Sequence, residues 1–563
     1  MLQCIFIDFH VLRVYKVAVF CAPHGNAIDP GDKSMTLPNE TFGKIDVAID
    51  IPKSNLKHVA PMRGRFEHHR VSALLLGIYG EEKYKEMQDK GVDQRMMFGT
   101  NPHYQALAMG DEFCDEQGNV LVPKMPPSKA VAALILPRLE ETASMDGAKD
   151  PSNQMRYTAK NNSLAGKLLH KYDEIVLGYA SPTCSAHCRY CYRLDLFNKD
   201  TGKTSITPEE LRDYVRGYNK WIAEHKGIDP QTGERRYPVR EILLSGGDPL
   251  VLPNITLYKF AVAAAQAGVN TLRIGSKELA FRPERVDDAF IETLRILHSQ
   301  YPSLHINLVS HYTHPDEFLE RDAEGNYISN ADGIGYKWMD ASLRPVEKLL
   351  QLGFVSLHTQ TPVIWHVNDD AEALRILHEE MRRMNITPKY IFQGRDIEGH
   401  QAFSLPVEAA WRIHNDAMKG IADGGRSRFV MSTEWGKMEV VSVIKGLDLA
   451  ENGLDLLPEK MRATLISLLG EGITIFKSYR SPYSADSQGD LIIAKSNPEA
   501  LWISGYEDRI LYDTRRGDNE KFSGLINVVL STFGTDLFDR IMRGRGAAND
   551  PPLAGIKKTV ATV

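Results

Sequence analysis

The chain has 563 residues with a formal net charge of −6, and 43% of its residues are apolar and 25% charged. This is the make-up of an ordinary soluble globular protein, long enough for about two to four domains, and so small a net charge gives no sign of nucleic-acid or membrane binding by bulk electrostatics. Six cysteines, three of them inside one motif, form no evident disulfide framework and favour a reducing, cytoplasmic setting, and no apolar run reaches bilayer-spanning length.

In chain order, Met1 to Cys21 is apolar but broken by Asp8, Arg13 and Lys16, which argues against a signal peptide. Met35 is a candidate start, so residues 1–34 read as a spurious or flexible extension. Residues 35–165 read as a mainly helical N-terminal domain. It has a strand-like stretch at Ile45–Ile51, a Pro-rich joint at Lys124-Met125-Pro126-Pro127 and a helix over Lys129–Thr142. Residues 166–400 are regular. Short β-rich runs at Glu174–Ala180, Val239–Ser245, Asn270–Gly275, Leu304–Ser310, Phe354–Gln360 and Lys389–Gln393 alternate with amphipathic helices. The first helix opens on Thr207-Pro208-Glu209-Glu210, a capping box with proline at the first helical position. The others run through Leu257–Ala267, Asp288–His298, Leu343–Leu352 and Asp370–Met384. Such βα units, joined by right-handed crossovers, predict an α/β fold: a partial (β/α)6 TIM-like barrel. Residues 401–563 read as a C-terminal α+β extension. It has a helix at Pro406–Lys419, a strand at Arg428–Met431, an insertion of helical character at 445–495 (helix Pro458–Leu469) and a tail at 520–563.

The chemistry concentrates after the strands, where barrels of this kind carry their reactive groups. Strand one leads to Cys184, Cys188 and Cys191, in the spacing CxxxCxxC. Three thiolates can hold three irons of a four-iron, four-sulfur cluster and leave the fourth iron open to a small molecule. The competing readings are a zinc site, with His187, His170 or His311 as fourth ligand, and three inert buried thiols. Strand two leads to Gly246-Gly247-Asp248, where glycine lets the backbone approach a ligand. The plain alternative is an ordinary βα turn. Ser276, His311, Gln360 and the stretch Gln393-Gly394-Arg395-Asp396 follow at the remaining strand ends.

The cysteine spacing, with Tyr190 before the third cysteine, resembles that of the radical S-adenosylmethionine (SAM) enzymes. Taken in order, several motifs narrow this further. They are His170-Lys171-Tyr172, Cys191-Tyr192-Arg193, Leu243-Leu244-Ser245-Gly246-Gly247-Asp248-Pro249-Leu250, Leu272–Ser276, Ser310–Pro315, Gln360 with Val367-Asn368-Asp369, and Tyr390-Ile391-Phe392-Gln393. Together they resemble the lysine 2,3-aminomutase-like family of radical SAM enzymes. The resemblance implies a four-iron, four-sulfur cluster on the three cysteines, SAM at Gly246, Gly247 and Asp248, and pyridoxal phosphate (PLP) as a Schiff base on Lys437. It implies phosphate contacts from Lys171 and Tyr172, a substrate-carboxylate clamp at Arg193, and SAM or PLP contacts from Ser276, His311 and Gln360. It further implies an amino-acid substrate, lysine or a relative, whose amino group moves from Cα to Cβ by way of a 5′-deoxyadenosyl radical. An electron donor such as flavodoxin or ferredoxin would be needed, and a homo-oligomer is allowed. The chain departs from the family pattern in places. A single glycine, Gly436, precedes Lys437, and Ile175 stands where a second phosphate-binding arginine is expected. Asp396 is displaced by one position, with Arg395 beside it, and Ser432, near Glu434, takes the place of the second carboxylate that faces the distal ammonium of lysine. The alternatives are a related radical SAM reaction with altered or absent PLP, and a zinc-stabilised, non-catalytic binding module.

Overall fold

The computed structural model describes residues 71–158, 164–193, 205–446, 470–482 and 488–515, with isolated helical positions between 459 and 467. The strand expected at Ile45–Ile51, the extension before Met35 and the tail after 520 lie outside the described residues. By contacts the chain divides into two units, and the larger takes in Met35–Lys445 and Gly472–Ile510. All that follows concerns that unit.

Its architecture is mixed α/β around one large sheet. The strands are β1 (Leu168–Tyr172), β2 (Ile175–Ser181), β3 (Glu241–Gly246), β4 (Thr271–Ser276), β5 (His305–Ser310), β6 (Val355–Pro362), β7 (Ile386–Phe392), β8 (Arg428–Thr433), β9 (Gly436–Ile444), β10 (Ile473–Arg480) and β11 (Leu491–Lys495). They lie in the sheet in sequence order, β2 to β8 all parallel. The two margins are antiparallel: β1 against β2, and β9, β10 and β11 as a meander after β8. The expected strands are thus present to within a few residues. Residues 473–495, expected to be part of a helical insertion, instead supply two strands to the sheet. The described positions around 459–467 are helical.

A helix follows most parallel strands: α4 (Pro208–Glu224), α5 (Asn254–Gln266), α6 (Asp288–Gln300), α7 (Asp340–Leu350), α8 (Ala371–Arg383) and α9 (Val407–Ala417). Local chemistry fixes their starts. The Thr207 hydroxyl accepts from Glu210 N at 3.1 Å while the Glu210 carboxylate accepts from Thr207 N at 2.8 Å, closing the expected capping box. Asp287 and Asp370 cap α6 and α8 in the same way, accepting from Phe290 N and Ala373 N. Alternate residues of the strands bury against these helices: Ile242, Leu244, Leu272, Ile274, Ile306, Leu308 and Leu357 all belong to one core. The intervening residues, such as Arg273, His358 and Gln360, face the other way and stay half-buried. The sheet therefore has one apolar, helix-covered face and one polar face.

The N-terminal part contributes α1 (Val71–Asp89), α2 (Pro102–Met109) and α3 (Lys129–Ile135). The helix expected over Lys129–Thr142 stops at Ile135, and a short 3-10 turn, Leu139–Thr142, follows Pro137. Proline cannot donate to the helix and disfavours helical geometry in the residue before it. Among the described residues no helix is long and apolar enough to cross a membrane.

Candidate active site

The predicted residues collect at the C-terminal ends of the parallel strands. Cys184, Cys188 and Cys191 occupy the loop after β2, and none is in a disulfide. Their thiols influence one another. Burial raises the Cys184 thiol well above its usual range, and the neighbouring Asp248, Cys191 and Cys188 add to the effect. Burial likewise pushes Cys188 up to about 12, with Lys277 pulling the other way and Cys191 adding to the rise. Three thiols that oppose each other's ionisation suit a multivalent iron cluster, whose charge would hold all three as thiolates. Among the described residues no three His, Cys, Asp or Glu side chains gather closely enough to hold one metal ion. A cubane ties each thiolate to a different iron, so its ligands need not converge on a point.

The histidines considered as zinc ligands are engaged elsewhere. His170 is buried, with Nδ1 at 2.8 Å from the Tyr214 hydroxyl and Nε2 at 2.9 Å from Asp173 O. His187 Nδ1 lies 2.9 Å from Met97 O. His311 Nε2 lies 3.3 Å from the Tyr190 hydroxyl and 3.2 Å from Thr361 Oγ1, and burial with Lys277 nearby holds its ring neutral.

Gly246 and Gly247 have a reason beyond ligand approach. Gly246 has φ 120°, and a Cβ on either glycine would overlap a backbone oxygen, of Ser181 or of Thr183. Gly247 N and Asp248 N donate to those same oxygens, each at 2.7 Å. The β3 turn is thus packed directly onto the segment leading into Cys184. Asp248 then accepts from Leu250 N at 2.9 Å and Lys277 N at 2.6 Å, tying the β3 and β4 ends together. Ser276 ends β4, where it accepts from Glu278 N and passes its carbonyl to His311 N.

Arg193 is buried beside this turn. Its Nη1 donates to Gly246 O at 2.8 Å and to Ser245 Oγ, its Nε has no partner, and no carboxylate among the described residues pairs with it. Its guanidinium sits 4.8 Å from the Tyr192 ring centroid, and that of Arg395 sits 4.2 Å from the same centroid. Arg395 likewise has no ion pair among the described residues, and its Nη1 is buried without a partner. Two guanidiniums on one aromatic ring, both lacking counter-ions, form a receptor for anionic groups.

Lys171 on β1 donates to Thr433 O at 2.7 Å, which joins it to the β8–β9 hairpin. Burial, then Arg395, lowers its amine to about 7, so a nearby anion would restore the charge. Beside it Tyr172 carries the Arg480 guanidinium 4.2 Å from its ring centroid, and Arg480 is ion-paired with Glu174.

Lys437 is the second residue of β9. In the hairpin, Thr433 pairs with Gly436 and Ser432 with Lys437, leaving Glu434 and Trp435 as the turn. Gly436 has φ 104°, and a Cβ there would overlap the Arg480 carbonyl. The lysine side chain lies over aromatic rings, its Nζ 4.0 Å from the Tyr390 centroid and 5.3 Å from that of Phe392. It has no ion pair or hydrogen bond among the described residues. Burial, followed by Arg273, Arg480 and Lys389, lowers its basicity well below that of an ordinary lysine. A desolvated, neutral amine is the form that condenses with an aldehyde, so the residue fits a PLP anchor. Gln360 stands half-buried on the polar face of β6, and its amide makes no hydrogen bond among the described residues.

Sequence reasoning missed Arg480, which comes from a strand not expected, and Lys277. Lys277 is buried, bonded to His311 O, Thr313 Oγ1 and Glu317 Oε1, next to the cysteine loop. The only sequence signal for Lys277 was its position after Ser276.

No protein-family model matches the chain. It is 26% identical over 434 residues to "Putative L-lysine 2,3-aminomutase" of Aquifex aeolicus, a match covering 76% of this chain and 92% of that protein. It is 23% identical over 337 residues to glutamate 2,3-aminomutase of Clostridioides difficile, covering 60% of this chain and 64% of that one. A third relative, L-lysine 2,3-aminomutase of Methanococcus maripaludis, is 26% identical over 250 residues, covering 44% of this chain and 47% of that one. Read with the residues above, these similarities make the chain a member of a lysine 2,3-aminomutase-like family.

Proposed function

We propose that the protein is a radical SAM, PLP-dependent amino-acid 2,3-aminomutase acting on lysine or a related L-amino acid. The observation that carries this is a meeting of two unlike groups at one end of one sheet. Three unbridged, mutually opposed thiols lie beside two arginines without counter-ions, and these lead through Lys171 to a buried, unpaired lysine amine. Sequential parallel strands with right-handed crossovers keep their helices on one face, so curling into a partial barrel encloses the other, polar face. An enclosed face would shield a radical from solvent.

When bound, the cluster and SAM would supply a 5′-deoxyadenosyl radical, and PLP would hold the migrating amino group. The chain's own residues have separable tasks. Cys184, Cys188 and Cys191 would hold three irons, while Gly246, Gly247 and Asp248 shape the turn against them for the SAM amino group. Arg193 would take the substrate carboxylate in its planar fork and so orient Cα and Cβ. Lys171, Tyr172 and Arg480 would take the phosphate, Arg480 standing in for the arginine replaced by Ile175. Lys437 would offer a neutral amine to the aldehyde, over Tyr390 and Phe392, which exclude water. Ser276, His311 and Gln360 would complete the walls. Reduction of the cluster calls for a donor such as flavodoxin or ferredoxin, and unbridged cysteines with such a cluster suit a reducing cytoplasm.

Anaerobic reconstitution with iron and sulfide tests the cluster: the broad visible absorbance of an iron–sulfur centre is expected, and a featureless zinc-loaded protein would refute it. Borohydride reduction with PLP followed by peptide mapping tests the anchor. Label is expected on Lys437, and label on another lysine would overturn that assignment.

A further inference from the structure

Arg189 lies inside the cysteine motif, yet its side chain points away from the thiols and is fully buried. Its Nε donates to Glu141 Oε1 at 3.0 Å and to Oε2 at 3.2 Å, and its Nη2 donates to Glu141 Oε2 at 2.6 Å. The remaining donors reach the carbonyls of Met96, at 2.6 Å from Nη1, and Val92, at 3.3 Å from Nη2. Glu141 is equally buried. It also accepts from Arg95 Nη1 at 2.7 Å and from Arg138 N at 2.9 Å. One carboxylate thus gathers two arginines and a chain turn, and every partner comes from residues 92–141. The same segment holds the loop backbone: Gly99 O accepts from His187 N and Leu134 O from Arg189 N, both at 2.8 Å. Asn101 Nδ2 reaches Ser185 Oγ at 3.3 Å.

We propose that Arg189 and Glu141 are positioning residues through which the N-terminal segment sets the geometry of the three cysteines. The inference rests on reading those cysteines as cluster ligands. A guanidinium fork bound to a carboxylate and two carbonyls fixes the backbone at Arg189 in both position and orientation. Cys188 and Cys191 lie on either side of that point, so the fork fixes their spacing without touching iron. Groups that orient ligands from behind commonly govern metal retention by about 10–100-fold.

The test uses the full chain, reconstituted anaerobically with iron and sulfide. Arg189→Lys keeps the charge but removes the fork, and Glu141→Gln removes the carboxylate charge. Both are expected to release iron to a chelator about 10-fold faster than the parent. The reduced cluster should also show an altered electron paramagnetic resonance line shape and a weakened response to added SAM. A role in folding alone would leave that spectrum unchanged in the protein that folds. Gly99→Ala supplies an arm that leaves the ion pair intact. Its Cβ would stand 2.9 Å from His187 Nδ1 and press on the loop from the same segment. It is expected to give the same spectral change with an unaltered circular dichroism spectrum. Parent-like iron release and line shape in folded Arg189→Lys or Glu141→Gln would overturn the proposal, as would the same result in Gly99→Ala if the charge variants fail to fold. A parent chain that takes up no iron–sulfur cluster would instead overturn the functional reading itself.

Discussion

The cysteine loop and the Lys437 hairpin face the same site but are supported from opposite ends of the chain. The loop is held by the N-terminal segment, through Gly99, Leu134 and the Arg189–Glu141 pair. The hairpin is held by β1 through Lys171 and by β10 through Arg480, with Ser152 and Tyr157 also bonding its carbonyls at Ser432 and Glu434. The loop is compact in sequence and buried among polar bonds. The hairpin is a regular two-strand turn whose reactive amine owes its state to burial on Tyr390 and Phe392. Ligand spacing is a local property, whereas amine basicity is made by whatever packs around it.

That difference can be broken at either end. The largest effect is expected at the loop. Cys188→Ala should abolish β-amino acid formation and leave iron unable to form the cubane, as read by iron content and absorbance, because a cluster with two protein ligands is poorly held. Lys437→Ala comes next. It should leave the cluster spectrum intact, remove the borohydride-fixed label and depress turnover by orders of magnitude, which would show the two supports to be independent. Gly436→Ala should act between them. The forced φ and the overlap with the Arg480 carbonyl cost about 1–3 kcal/mol, measured by denaturant unfolding, and shift the amine, lowering PLP affinity. Arg480→Leu should weaken PLP binding about 10-fold, the value of one lost charge-assisted contact to a phosphate, without altering iron content.

The smallest effect is a pH slope. Lys171 has its folded pKa lowered to about 7 by burial and then by Arg395, below the unfolded value near 10.4. Between those values the unfolded chain holds a proton that the PLP-free folded chain has released, so stability from this group rises with pH across that window. Lys171→Met should flatten the rise in apo-protein melting temperature above pH 7. An unchanged slope would mean that the amine is not desolvated.

The same contrast explains what was legible in the sequence. The parallel strands β2 to β7 were readable because each is a short apolar run between helices with strong caps such as Thr207 and Asp370. The cysteines, the glycine turn and Arg193 were readable because their chemistry is written in a few adjacent letters. The C-terminal meander was not. Ile473–Arg480 is buried at Ile473, Thr474, Ile475 and Phe476 in succession, without the alternation that marks a strand. Its fate is settled by pairing with β9 and β11. Arg480 therefore escaped notice, although it pairs with Glu174, 306 positions away. The Arg189–Glu141 pair was invisible for the same reason, since its two residues stand 48 positions apart and only the fold shows that they meet. At Lys437 the residue was legible, but its depressed basicity was not, because that comes from Arg273, Arg480 and Lys389 gathered by the sheet.

The most direct measurement is an anaerobic amino-acid panel with SAM, PLP and a reductant, scored for β-amino products. The account predicts a β-amino isomer from at least one L-amino acid, formed only when SAM, PLP and reductant are all present and lost in Lys437→Ala. A protein that carries its cluster and its Lys437-bound PLP yet yields no β-amino product from any amino acid would contradict it.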